Sequence, residues 1–296
     1  MLLNHKLPVS FLFKKVRVEL LLITIYALGI EFMDEYLGIK SLSIPLAIPA
    51  LLGTTISLIL AFRTNQAYDR WWEGRKIWGA IVNDSRTLIR QVLSFTSRDL
   101  NLGKRFVNRQ VAWCYALGCK LRALDPMDRL QRYLTEEELS YVKFHTNIPN
   151  AILNLHAFDL QKIHDQQKIN NYQQVSIDAT LARLTDSMGM AERIKSTVFP
   201  KTYSLFIDFM LILFILMLPF GIIEFFGIIE GLIVIAVAIP FILLEKTAVL
   251  MQDPFENMPT DTPVFTISET IKTNLLQMVE DDDFEINDYS YGYYSM

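Results

Sequence analysis

IPLAIPALLGTTISLILAF, residues 44–62, carries no ionisable side chain and runs straight into RTNQAYDRWWEGR, residues 63–75. A helix needs about 20 mostly apolar residues to cross the roughly 30 Å hydrocarbon core of a bilayer. The first stretch therefore predicts a membrane span. The basic, tryptophan-rich stretch behind it suits the interface, where aromatic rings and cationic side chains collect.

The rest of the chain is organised around that span. The chain is 51% hydrophobic and 20% charged, ordinary for a globular protein, yet the apolar runs gather near its two ends. Residues 1–17 hold Lys6, Lys14, Lys15 and Arg17 and no acid, and a further span is expected from Val18 to Phe32, extending toward Leu37. Two more are expected at 203–226, interrupted by Pro219-Phe220-Gly221, and at 228–244. Cationic residues precede the first span and follow the second, whereas Asp34 and Glu35 lie between them, so the positive-inside rule places both termini in the cytoplasm. The start of the chain does not read as a cleavable signal, because Glu19 and Glu31 interrupt its apolar run.

The expected organisation is a segment and first hairpin over 1–63, a cytosolic helical region over 64–200, a second hairpin over 201–246, a cytosolic segment over 247–279, and a mobile acidic, Tyr-rich tail over 280–296. Ile77, Ile81, Leu88 and Val92 recur at helical spacing. Asp125-Pro126 marks a turn, and Thr135-Glu-Glu-Glu138 has the form of a capping box. The fold class is thus all-α and membrane-embedded, with four transmembrane helices.

Several function classes are disfavoured. A net charge of −4 argues against nucleic acid as a partner. There is no P-loop, GxGxxG, GxSxG or HExxH, so an enzyme is not expected, nor is a cofactor or metal centre. Cys114 and Cys119 have neither zinc-site nor redox spacing. His5, His145, His156 and His164 are scattered, and each is read as a solvated or capping residue. Asp208, close behind Lys201, reads as an interfacial acid rather than part of an ion path.

Thr54, Leu58 and Phe62, at i, i+4 and i+8, share one helix face. In a lone bundle that face packs on other spans. With several copies around an axis it lines a narrow apolar passage, a constriction that can gate by dewetting.

One block of residues is more specific: Phe62-Arg63-x-Asn65-x-Ala67-Tyr68-x-Arg70-x-x-Glu73-x-Arg75-x-x-Trp78-Gly79, then Ser85-Arg86. Three more blocks follow in order: Glu192-Arg193-Ile194 ahead of Pro200-x-x-Tyr203, Leu218-Pro219-Phe220-Gly221, and Asp253-Pro254-Phe255. Together they resemble the bacterial branch of the bestrophin channels over nearly the whole chain. The resemblance implies a homopentamer in the bacterial inner membrane that passes monovalent ions, with chloride or another anion favoured and a sodium or potassium channel of the same fold as the alternative. It places the pore neck on Thr54, Leu58 and Phe62, where the polar Thr54 departs from the family's bulky apolar pattern and implies a wider, wetter upper ring. It places a second constriction on Val175 or Ile177. Animal members carry an acidic calcium clasp directly after the Pro-Phe pair, whereas here Glu256-Asn-Met-Pro-Thr-Asp261 follows, so no clasp of that kind is expected. The rival class is a membrane-anchored interaction protein, and stoichiometry separates the two.

Overall fold

The computed structural model describes residues 9–37, 43–197, 199–226, 229–281, 288–291 and 294–295. They form ten helices and one pair of two-residue strands. In order the helices are α1 (Val9–Leu37), α2 (Ala47–Phe95), α3 (Leu100–Leu121), α4 (Met127–Leu130), α5 (Glu136–Lys143), α6 (Ile148–Asp165), α7 (Asn171–Ser196), α8 (Lys201–Phe226), α9 (Glu230–Met251) and α10 (Val264–Met278). The strands β1 (Ser290–Tyr291) and β2 (Tyr294–Ser295) pair antiparallel. The connection between the last two spans, residues 227–228, and much of the acidic tail lie outside the described residues.

The chain divides into two compact units, one from the described residues of His5–Arg70 and Val198–Asp253, the other from those of Trp71–Thr197 and Pro254–Met296. The first is the apolar unit. α2, α8 over Lys201–Ile222, and α9 are each long and apolar enough to cross a membrane. α1 has the length as well, at 29 residues, but its charge-free run between Glu19 and Glu31 is short. It packs along α9 and α8. Val16, Ile23 and Ala27 of α1, Ile56 and Leu60 of α2, and Ile207, Phe214 and Leu218 of α8 share a core with Val234, Ala238 and Ile242 of α9.

Small residues set how closely these helices approach. A Cβ on Gly53 would stand 3.0 Å from the Phe214 ring, and one on Gly221 only 2.5 Å from Pro49 Cγ. Pro219 cannot donate to the carbonyl four residues back, so the ladder of α8 is broken there. Nearby carbonyls take partners from other elements: Tyr26 Oη donates to Leu216 O at 2.8 Å, and Ile44 N to Phe220 O at 2.9 Å. The Leu-Pro-Phe-Gly block thus docks the entrance of α2.

The second unit is a larger helical core around α3, whose Phe106, Val111, Trp113 and Leu117 are fully buried. Asp99 caps α3, accepting from Leu102 N, and its Lys168 partner at 2.8 Å holds the carboxyl below its ordinary pKa. The capping box forms at α5: Thr135 accepts from Glu138 N while Glu138 Oε2 accepts from Thr135 N at 3.0 Å. Asp125 turns the chain by accepting from Met127 N. Both cysteines are buried and free. In the tail, Tyr289 is half-buried and its ring lies 5.7 Å from that of Phe265, with Arg129 Nη1 donating to its hydroxyl at 2.7 Å.

His156 departs from its expected solvated or capping role. It is fully buried in α6, 5.1 Å from the Phe106 ring, and neither ring nitrogen has a hydrogen-bond partner among the described residues. Desolvation, helped by the nearby Arg109 charge, pushes its pKa well below the usual histidine value. The unfolded chain takes up a proton near pH ~6.5, and the folded chain does not until lower pH. Below that point unfolding binds more protons, so stability falls with falling pH, by up to ~1.4 kcal/mol per pH unit. Melting curves from pH 7.5 down to the depressed pKa should therefore drop less steeply in His156→Leu than in the parent; parallel curves would contradict this account.

Candidate pore helix and its anchors

α2 is one uninterrupted helix of 49 residues, running through the expected boundary at residue 63. No proline occurs between Pro49 and its end, and Arg, Gln, Ala, Glu and Trp carry it past Phe62 as helix formers or neutral residues. Its hydroxyl side chains bond to their own helix: Thr54, Thr55 and Ser57 donate to the carbonyls of Ala50, Leu51 and Gly53 at 2.8, 2.9 and 2.8 Å.

Within the apolar unit this helix is two-faced. Gly53, Ile56, Leu60, Arg63 and Ala67 point into the packing. Thr54, Leu58 and Phe62 are exposed, the last two at 59% each, and Asn65 and Asp69 extend the same exposed stripe. Every expected neck residue therefore lies on a face that the chain itself leaves uncovered. Because the Thr54 hydroxyl hydrogen is spent on Ala50 O, this side chain offers an acceptor and a methyl group rather than a free donor.

What fixes that rotation is Arg63. It is only 2% exposed, and its guanidinium meets Glu245 Oε1 at 3.3 Å and Ser204 Oγ at 3.3 Å while lying 5.5 Å from the Phe199 ring. Glu245 also lies 3.7 Å from Lys246 Nζ, which pairs with Glu19 at 2.9 Å. A buried guanidinium needs its charge matched, and this setting of α2 brings Arg63 to Glu245 and Ser204, while its Nε finds no hydrogen-bond partner among the described residues. Glu245 and Ser204 are anchoring contacts of Arg63 that sequence reading missed.

The other motif residues are mostly anchors too. Arg70 Nε donates to Gln252 O at 2.8 Å, in the turn leading to Asp253, which is half-buried. In the second unit, Trp71 Nε1 donates to Thr260 O at 2.7 Å, and Glu73 pairs with Arg193 at 2.6 Å. Gly74 admits the Pro254-Phe255 pair, since a Cβ there would come 2.9 Å from Pro254 Cγ. Phe255 and Trp78 are fully buried. Glu192 holds Lys120 at 2.8 Å and Asn147 Nδ2 at 3.3 Å. Ser85 accepts from Gln110 at 2.9 Å. Of the remaining motif residues, Tyr68 is exposed, Arg75 half-buried, and a Cβ on Gly79 would meet nothing within 4 Å.

The two residues expected at the second constriction part company. Val175 on α7 is 68% exposed, whereas Ile177 is fully buried against the unit's core. Ile177 cannot line an open passage, because α7 turns its Ile177, Leu181, Leu184 and Met188 edge inward. Next to Val175 on the outward side stand Asp178 and Ala179.

After Pro254-Phe255 the loop closes on itself: Thr262 N donates to Pro254 O at 3.0 Å and Met258 N to Asp261 Oδ2 at 3.0 Å. Asp261 Oδ2 is engaged within this turn. Among the described residues no group of three or more His, Cys, Asp or Glu is placed to hold a metal ion.

Residues 8–277 match the family model described as Bacterial/Fungal Bestrophin protein. The chain belongs to the bestrophin family, whose members are ion channels and not enzymes. It is 34% identical over 245 residues, 79% of each chain, to a voltage-dependent anion channel-forming protein of a Nostoc species. It is 30% identical over 275 residues to the voltage-dependent anion channel-forming protein YneE of Escherichia coli, covering 92% of this chain and 88% of that one. Among solved structures, a bacterial bestrophin homologue from Klebsiella pneumoniae superposes with a TM-score of 0.82 at 27% identity, covering 92% of this chain and 99% of that one.

Proposed function

We propose that five copies of this chain form a passive, anion-conducting channel in the bacterial inner membrane, with α2 of each copy around the axis. Thr54, Leu58 and Phe62 are its neck and Val175 contributes to a second, cytosolic constriction. α1, the first part of α2, α8 and α9 make four crossings, which leave both termini in the cytoplasm. The observation that carries this reading is the uncovered face of α2. Only the edge of Gly53, Ile56, Leu60, Arg63 and Ala67 is packed within the apolar unit, which leaves Thr54, Leu58 and Phe62 free to face an axis shared with other copies. Anion conduction is supported by what the Nostoc and Escherichia coli relatives are named for. It also suits the Phe62 ring, whose edge carries partial positive charge.

A cation channel of the same fold has one observation in its favour. Asp69 lies two turns past Phe62 on the same exposed stripe, where a ring of carboxylates would attract cations. Native mass and bilayer recording of the purified protein under a chloride-salt gradient decide. A pentamer with a reversal potential near the chloride equilibrium value is expected. A potential near the cation value transfers the assignment to the cation channel. A monomer without current makes the chain a membrane-anchored interaction protein.

A further inference from the structure

The soluble unit carries a second feature that the pore reading does not use. Asn83, Arg86, Thr87 and Arg90, at i, i+3, i+4 and i+7, share one face of α2, and Asn274 and Gln277, at i and i+3, share one face of α10. The two faces meet in a cleft of about 680 Å³. Every polar side chain on its walls can donate a hydrogen bond, and among the described residues no carboxylate lines it.

Among the described residues no carboxylate compensates the charge there. Elsewhere on this unit Arg98, Arg105, Arg109, Arg183 and Arg193 each meet a carboxylate. Arg86 instead directs its Nε at the neutral Asn274 Oδ1, at 3.1 Å, which holds the guanidinium in place without cancelling its charge. Arg90, one turn further on, has no ion-pair partner among the described residues. The nearest acid along the helix, Asp84, is engaged with Arg183 at 2.8 Å. The result is two guanidiniums one helical turn apart, one of them pre-positioned, with a hydroxyl and a carboxamide beside them.

We propose that this cleft binds a multivalent oxyanion, with a phosphate group as the ligand class. Two planar forks plus neutral donors match an oxyanion with several acceptor oxygens and about two negative charges, where a spherical halide uses neither the geometry nor the second charge. The phosphate can come from a free phosphomonoester or from a lipid headgroup.

The test is calorimetric titration of the full-length protein in detergent with inorganic phosphate at fixed ionic strength, and no readout depends on conduction. Saturable binding is expected, and Arg86→Gln/Arg90→Gln should weaken it at least tenfold, roughly the loss of one charge-assisted hydrogen bond. Arg86→Lys/Arg90→Lys, which keeps charge but loses the forks, should fall between. If the glutamine pair fails to fold, Asn274→Asp sets a carboxylate against Arg86 and should weaken phosphate binding alike. Competition by glycerol phosphate identifies a free phosphomonoester, and displacement only by phosphatidic acid in nanodiscs identifies the lipid source; either supports the site. Absence of saturation by ~10 mM phosphate, equal binding by the parent and the glutamine pair, or equal displacement by chloride would overturn it.

Discussion

Channels carrying Leu58→Ala together with Phe62→Ala are expected to pass at least about tenfold more current than the parent, the effect of lowering a barrier by ~1.4 kcal/mol. The barrier in question is a dry one. A narrow ring of bulky apolar side chains expels water, and an ion cannot cross a dewetted segment without shedding its hydration shell. Both residues stand on the uncovered face of α2 and touch no core, so truncating them enlarges the passage without opening a cavity in the fold. Single-channel recording checks this, with melting temperature as the control for intact packing. If unitary conductance is unchanged while the protein melts normally, the neck lies elsewhere.

The second large effect concerns stability. Glu245→Ala strands the Arg63 guanidinium in a site where it is 2% exposed. Breaking a buried pair by removing one partner costs about 3–5 kcal/mol, because the remaining charge has neither water nor a counter-ion. For a chain of this size that corresponds to a fall in melting temperature of roughly 10 °C. The control is Arg63→Met with Glu245→Leu, which removes both charges and should recover much of the loss. A double variant as unstable as Glu245→Ala alone would mean that the pair contributes shape, not charge balance.

Residues 44–75 disclosed most of the architecture because length, hydropathy and charge are local properties. A charge-free run must be a span, and arginine after it must sit at an edge. The capping box at Thr135 and the turn at Asp125 were legible for the same reason, since each is complete within four residues. The family resemblance, not local periodicity, singled out Thr54, Leu58 and Phe62, which are exposed on α2. The resemblance left Val175 and Ile177 open as alternatives, and burial separates them. The wider stripe Ile177, Leu181, Leu184, Met188 holds the helical period and excludes Val175, which identifies the buried edge. His156 repeats the lesson, lying on the stripe Ile152, His156, Leu160, Ile163 of α6. Glu245 had no local signal at all: it follows the last apolar run as any interfacial acid might, and its partner is 182 residues away. The cleft of Arg86 and Arg90 was hidden likewise, because half of it comes from α10.

That separation of 182 residues also sets a clock on how the protein is made. Arg63 emerges with the first hairpin, but Glu245 is not synthesised until the last span is nearly complete. At ~5–20 residues per second the wait is roughly ten to forty seconds. Throughout it the second span must hold its arginine at the hydrated edge of the bilayer, and α2 can settle into its final rotation only when the ribosome has all but finished. The exposed stripe of Thr54, Leu58 and Phe62 is therefore among the last features of the chain to be fixed, and an arrest of translation before residue 245 would leave a hairpin inserted but not yet oriented.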